Sequence, residues 1–351
     1  MHSSRDAKDR LLPELSAPQH ERAPRPLPLF LELVREVSER DPDLARQALA
    51  GLRAYEQAPR RERPTAKPEV ARVAGASLRD HGGSGPPAIL VPSLINPPRI
   101  LDLDEQVSLT AAIARMGRRV LLLDWGKAHD RRGFSVAGHV EELLLPLLRD
   151  VGERPALVGY CLGGTMAIAA ANKIEVERLV TIAAPWRFSH YPETSRRALA
   201  NMWSHARGAA DQLGSLPMEV LQAAFWSLDP ERTVGKFAEF GRLDPASPEA
   251  GRFVDLEEWA NEGEPLPFPA AMELIEDLFE RDLPGSGRWI GSDQLSIPSL
   301  HLTAEHDRIA PSVTAPVGEK VAIASGHVGM IVGSARGRLH EALERFLTPC
   351  R

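Results

Sequence analysis

Hydrophobic positions along this chain change their period three times. Between Pro28 and Tyr55 they recur at helical spacing, with Phe30, Leu33, Val34 and Val37, then Leu44, Ala48 and Leu52. Asp41-Pro42-Asp43 interrupts that run and predicts two helices rather than one. From about Val70 the pattern becomes short apolar runs separated by amphipathic stretches. Val70–Ser77 reads as an edge strand. Ala88–Pro92, Val120–Asp124, Ala156–Tyr160 and Arg178–Ala184 read as buried strands, and Asp104–Met116, Val136–Val151 and Gly163–Asn172 as the helices among them. Buried strands alternating with helices predict an α/β protein: a mostly parallel central sheet with right-handed crossovers and helices on both faces.

The alternation stops after about residue 185. Residues 186–291 are helical and loop-rich and hold Trp186, Trp203, Trp226, Trp259 and Trp289, five of the six tryptophans. This stretch reads as a helical cap inserted over the carboxyl edge of the sheet. Ser299–Thr303 resumes the sheet, Glu319–Ala324 gives the last strand and Ala335–Phe346 the closing helix. The expected organisation is a disordered tail over 1–27, whose polar, proline-rich sequence has no periodicity, and a helical segment with a basic linker over 28–69. A core follows in two parts, 70–185 and 292–351, separated by the cap.

Composition narrows the function more than the fold. With 351 residues the chain can bury a large core, and a net charge of −6 with no basic stripe argues against nucleic acid as a partner. Two cysteines, Cys161 and Cys350, are too few for a disulfide framework and fit a reducing compartment. The N-terminus has no apolar run that could serve as a signal peptide, and no membrane span is expected, so a cytoplasmic location is predicted.

The chemistry is concentrated in Gly159-Tyr160-Cys161-Leu162-Gly163-Gly164, which lies between a predicted strand and a predicted helix. This G-x-C-x-G-G pattern is a nucleophile elbow with cysteine where serine is usual. Glycines permit the cramped turn that exposes the Cys161 side chain, and the helix N-terminus beneath it favours a thiolate. In the α/β-hydrolase fold, nucleophile, acid and histidine follow in that chain order. Asp307 follows the strand at Ser299–Thr303, and His327 follows the last strand. His327 would accept the Cys161 proton, and Asp307 would orient the imidazole. The backbone N–H of Leu162 would hold an oxyanion, joined by one from the loop Pro92–Asn96 at Leu94 or Ile95.

Blander readings compete with each assignment. A lone cysteine in an apolar segment is usually a packing residue. Glu305 is an alternative acid, and Asp124 reads as a structural turn residue rather than a second acid. Cys350 reads as an exposed bystander. No His-x-x-x-His or Cys-x-x-Cys pair and no phosphate-binding glycine loop accompanies a strand, so no metal or cofactor is expected.

These residues resemble the polyhydroxyalkanoate synthase family. The resemblance rests on the cysteine box at 159–164, Val91-Pro92-Ser93-Leu94-Ile95-Asn96 with Ile100-Leu101-Asp102-Leu103, and Leu123-Asp124-Trp125-Gly126. In the cap it rests on Leu216-Pro217-Met218-Glu219, Leu221-Gln222, Phe225, Phe253 and Glu258-Trp259-Ala260-Asn261, and then on the Asp307 and Ser325-Gly326-His327 loops. It covers about residues 70 to 348. The resemblance implies an acyltransferase in which Cys161, His327 and Asp307 act on 3-hydroxyacyl-CoA thioesters and the growing polyester is carried on Cys161. Coenzyme A enters as part of the substrate. The length is nearer the short, class III-like form, which works with a second subunit. A homodimer and a place at the polymer granule surface are also open. The chain departs from the family at Arg308, where a histidine is usual, at Arg99, where an aromatic is frequent, and at Arg281, where an asparagine is usual. The alternative is a cysteine-based hydrolase: an intracellular polyester depolymerase, an esterase or a thioesterase. A non-catalytic relative is a third reading.

Overall fold

The apolar runs become ten strands in the computed structural model, which describes residues 23–348. They are β1 (Glu69–Val73), β2 (Ala76–Asp80), β3 (Pro87–Val91), β4 (Arg119–Asp124), β5 (Ala156–Tyr160), β6 (Arg178–Ile182), β7 (Ser215–Leu216), β8 (Leu266–Pro267), β9 (Ser299–Ala304) and β10 (Glu319–Ile323). Eight form one sheet in the order β1-β2-β4-β3-β5-β6-β9-β10, and β7 pairs with β8 apart from it. β2 is antiparallel to both of its neighbours, and every pair from β4 to β10 is parallel. β3 and β5 are buried at every position. Strands covered on both faces must be apolar throughout, which is why they read as unbroken hydrophobic runs.

The order β4-β3-β5 places a topological switch point at β3. The chain leaves β3 to one side to reach β4 and returns on the other side as β5. The carboxyl ends of β3 and β5 therefore open side by side, where parallel sheets build their sites. The loop after β3 is Pro92–Asn96, and the turn after β5 carries Cys161.

The sheet belongs to one of two compact units, residues 62–228 with 258–348. Its core cluster runs from Ala76 through the sheet and the helix Leu162–Ala171 to Leu278, and it includes Trp186, Trp203 and Met218. These bulky cap residues pack inward rather than forming an outer apolar face. The other unit holds described residues 23–61 and residues 229–257, so the expected cap stretch is shared between the two. Its centre is an aromatic cluster in which Phe237 meets Phe30 at 4.7 Å between ring centroids and Phe240 stacks on Phe253 at 4.4 Å. The helices Pro42–Gln57 and Pro230–Phe240 approach so closely that a Cβ on Gly51 would lie 1.8 Å from the Phe237 carbonyl oxygen. Residues 1–22 of the expected tail and Cys350 lie outside the described residues, and the helix Leu27–Ser38 begins at the tail's expected last position.

Three local expectations change. The edge strand expected at Val70–Ser77 is a hairpin, β1 and β2, turning at Ala74 (φ 50°) and Gly75. Small residues across the turn hide it in the hydropathy pattern. The helix expected from Asp104 is shorter, Leu109–Arg115. Asp104 Oδ1 accepts the N–H groups of Gln106 and Val107, and Ser108 Oγ caps Ala111, so side chains occupy the preceding turn's donors. The helix expected over Val136–Val151 contains a π segment at His139–Leu144. Pro146 just beyond it has no N–H to return, and a widened turn accommodates the missing bond.

Candidate active site

The elbow is built from close backbone contacts. Cys161 has φ 56° and ψ −132°, a left-handed conformation that a non-glycine residue adopts only when its surroundings enforce it. Its N–H donates to the Ile182 carbonyl at 2.9 Å, and its carbonyl accepts the Gly164 N–H at 2.8 Å. The motif's glycines are required by space. A Cβ on Gly159 would lie 2.4 Å from Gly164 Cα, one on Gly163 2.1 Å from the Val91 carbonyl oxygen, and one on Gly164 2.3 Å from Ala184 Cβ. Gly163 thus presses the start of the helix Leu162–Ala171 onto the end of β3 and the loop that follows it.

Loops after β9 and β10 bring the other two residues in. Asp307 is buried, and its Oδ1 accepts the N–H groups of Ile309 and Ala310, both at 2.8 Å. Its Oδ2 is 2.7 Å from His327 Nδ1. A carboxylate anchored by two backbone donors cannot rotate away, so it fixes the tautomer with the proton on Nδ1. His327 also interacts electrostatically with the half-buried Cys161. Burial alone would lower the His327 pKa, but the charges of Cys161 and Asp307 and their hydrogen bonds outweigh it and push it up to about 10. The site therefore favours the imidazolium form of His327.

Cys161, Asp307 and His327 are thus brought together. Glu305 is exposed and forms no hydrogen bond with His327. Asp124 closes its own turn by accepting the Gly126 N–H at 3.0 Å and meets Arg79 at 3.2 Å. Arg308 donates to the Leu228 carbonyl at 3.2 Å, tying the acid loop to the end of the helix Met218–Ser227.

The oxyanion candidates also fall beside the elbow. Leu162 is the first residue of its helix, so its N–H has no intrahelical acceptor. Leu94 and Ile95 share the apolar cluster with Leu162. Among the described residues the Leu94 N–H has no acceptor, while the Ile95 N–H reaches only Ser93 Oγ, at 3.5 Å.

Two residues near this site were not singled out in the sequence. The Tyr160 ring lies 5.2 Å from the His327 ring, and among the described residues its buried hydroxyl has no hydrogen-bond partner. Burial, with the charges of Cys161 and Asp307, holds its pKa well above the ordinary phenol value, so it stays neutral. Its place inside the elbow motif was the available signal. Arg131 is fully buried behind Leu94, and nothing in the charged run Asp130-Arg131-Arg132 marks it as interior.

Sheet order, elbow and chain order of the three residues define an α/β-hydrolase-fold protein with cysteine at the tip of its elbow. Solved structures agree on the fold. The chain matches a protein described as a non-heme bromoperoxidase, BpoC of Mycobacterium tuberculosis H37Rv, with TM-score 0.52 and 14% identity, covering 78% of this chain and 96% of that one. A hydrolase from Pseudomonas aeruginosa PA01 matches with TM-score 0.50 and 16% identity, covering 82% of this chain and 100% of that one. Within this class, the resemblance to the polyhydroxyalkanoate synthase family holds over most of the chain. The poly(3-hydroxyalkanoate) polymerase subunit PhaC of Haloarcula marismortui is 26% identical over 289 residues, 76% of this chain and 61% of that protein. The proteins of the same name from Synechocystis and Allochromatium vinosum are 24% and 23% identical, covering 75% and 74% of this chain and 77% and 80% of theirs. The chain spans less than two thirds of the haloarchaeal relatives, 61% and 55% for Haloarcula marismortui and Haloferax mediterranei. No family model matches the chain. Among the described residues no helix is long and apolar enough to cross a membrane.

Proposed function

We propose that this protein is an acyltransferase of the polyhydroxyalkanoate synthase type, acting on 3-hydroxyacyl-CoA thioesters through Cys161, His327 and Asp307. The observation that supports it most is the buried Asp307–His327 bond ending at a cysteine on a strained elbow. It occurs in a chain whose relatives are named poly(3-hydroxyalkanoate) polymerase subunits.

The Cys161 thiolate attacks the thioester carbonyl. A carbon–sulfur bond forms, and the carbonyl π pair moves onto oxygen, which accepts N–H groups from Leu162 and the loop at Leu94 and Ile95. Collapse breaks the bond to coenzyme A, whose leaving sulfur takes the proton from the His327 imidazolium. His327, now neutral, accepts the proton of a 3-hydroxyl as that oxygen attacks the acyl carbon on Cys161. The ester forms, the Cys161 thiolate departs, and the imidazolium is restored. Asp307 holds the tautomer that lets Nε2 do this work. Cysteine suits repeated transfer because an acyl thioester stays activated for the next hydroxyl. No cofactor enters this scheme. The protein would work in the cytoplasm at the surface of its polymer, as a homodimer or beside a second subunit.

The test is thiol release from 3-hydroxybutyryl-CoA by the wild type and by Cys161→Ala, with the product sized. Cys161-dependent release with high-mass polyester supports the reading. Release with monomeric acid alone would make the protein a hydrolase, and no Cys161-dependent release would overturn both for the chain acting by itself, leaving a non-catalytic relative or a requirement for the second subunit.

A further inference from the structure

Arg131 is a charged residue that the scheme above does not use and that packing does not explain. It is 2% exposed, yet among the described residues it forms no ion pair with a carboxylate. The anionic groups that act on it, Glu264 and Asp124, are committed elsewhere. Glu264 meets Lys127 Nζ at 2.8 Å and the Ala128 N–H at 3.2 Å, and Asp124 holds Gly126 and Arg79. Burial lowers the guanidinium pKa to about 10, so it remains a cation at neutral pH. An apolar side chain of similar volume would stabilise such a position as well or better.

The guanidinium is instead aimed. Nη2 donates to the Leu94 carbonyl at 3.3 Å, and Nη1 lies 3.2 Å from His139 Nε2. His139 Nδ1 is 2.7 Å from the Ser135 carbonyl and must donate to it, which leaves Nε2 as the acceptor. Burial, and secondarily the Arg131 charge, push the His139 pKa down to about 3, so it stays neutral in that role. One side of the guanidinium is thereby anchored, and the other is presented to the loop.

The neighbouring carbonyls of that loop are held as well. Trp125 Nε1 donates to the Pro92 carbonyl at 3.0 Å, and the Glu264 N–H donates to the Ile95 carbonyl at 3.2 Å. In a trans peptide the N–H points opposite to the C=O of the same plane. A Leu94 carbonyl turned to Arg131 therefore directs the Ile95 N–H away from Arg131. That N–H keeps only the 3.5 Å contact to Ser93 Oγ, which a developing oxyanion readily displaces.

We propose that Arg131 is a positioning residue for the oxyanion-binding loop, fixing the Leu94–Ile95 peptide so that the Ile95 N–H meets the carbonyl oxygen under attack at Cys161. The inference rests on the acyl-transfer reading. It also selects Ile95 over Leu94 as the second backbone donor.

The experiment compares wild type, Arg131→Met, Arg131→Lys and Cys161→Ala as full chains, with two probes of Cys161. Iodoacetamide alkylation needs a reactive sulfur but no oxyanion site. Acylation by p-nitrophenyl butyrate needs both. Arg131→Met is expected to lower kcat for the ester about 100-fold with KM little changed, while alkylation stays within about twofold of wild type. Arg131→Lys, which still reaches Leu94 but cannot span to His139, is expected to lose about tenfold, and it serves where the methionine variant does not fold. Ester turnover falling no further than alkylation in either variant would overturn the role of Arg131 while leaving the function intact. No Cys161-dependent ester turnover in the wild type would overturn the acyl-transfer reading and this inference with it.

Discussion

Asp307 and His327 meet through a single 2.7 Å hydrogen bond between Oδ2 and Nδ1, while the other carboxylate oxygen is taken by two backbone N–H groups. The carboxylate is thus a fixed acceptor. It decides which imidazole nitrogen carries the proton and leaves Nε2 for the proposed transfer at Cys161.

Asp307→Asn would replace that acceptor with an amide that can present its NH2 to Nδ1. The ring would then keep its proton on Nε2, the wrong side for Cys161. Turnover of 3-hydroxybutyryl-CoA is expected to fall on the order of 10³- to 10⁴-fold with little loss of stability. Steady-state kinetics measure the first, and nitrogen-15 chemical shifts of His327 report the tautomer.

His327 makes part of the stability depend on pH. Its folded pKa is raised to about 10 from an ordinary value near 6.5, so the folded state binds this proton more tightly than the unfolded chain. The contribution is full below about pH 6.5 and is lost as pH rises through about 10. The urea midpoint difference between wild type and His327→Gln should therefore shrink between these limits. A difference that grows with pH would contradict the assignment.

Gly163→Ala places a Cβ 2.1 Å from the Val91 carbonyl oxygen, and backbone cannot yield there as a flexible side chain would. The helix must move off the end of β3. A destabilisation of about 2 kcal/mol or more is expected in urea unfolding, together with loss of Cys161-dependent turnover. An unchanged midpoint would mean that the elbow is looser than its contacts imply.

Arg118 is buried completely and forks onto Glu177, with a third bond of 2.7 Å from Nε to the Leu347 carbonyl. The guanidinium, chiefly by its hydrogen bonds, holds the Glu177 pKa below the ordinary carboxylate value. Glu177→Gln would leave a buried cation without its counter-ion. It is expected to cost about 2 kcal/mol, discounted for the partial exposure of Glu177. In the wild type this contribution is present above the ordinary carboxylate range and is lost as pH falls below it. Denaturation at pH 7 and pH 3 of both proteins checks it: the gap should be smaller at pH 3.

Elements whose information is local could be read from the residues alone. The strands β3 to β6 were legible because burial on both faces demands unbroken apolar runs. The elbow was legible because its glycines, strand and helix are contiguous. The pairing of Asp307 with His327 was legible because both lie just beyond strands, in a fixed chain order.

Features that depend on partners distant in the chain emerged only with the folded contacts. The β1–β2 hairpin turns at Ala74, whose left-handed backbone no residue type announces. The helix Pro230–Phe240 joins the helices before Arg61 because Gly51 and the aromatic rings of Phe30, Tyr55 and Phe237 fit together, a match between surfaces far apart in sequence. Arg131 belongs to the same class: a charged residue in a polar run reads as solvent-exposed until the fold closes around it and supplies the Leu94 carbonyl and His139 as partners. A sequence pattern carries the period of an element and the chemistry of its side chains. Which buried donor meets which carbonyl is set only when the loops of separate strands are brought to one edge of the sheet.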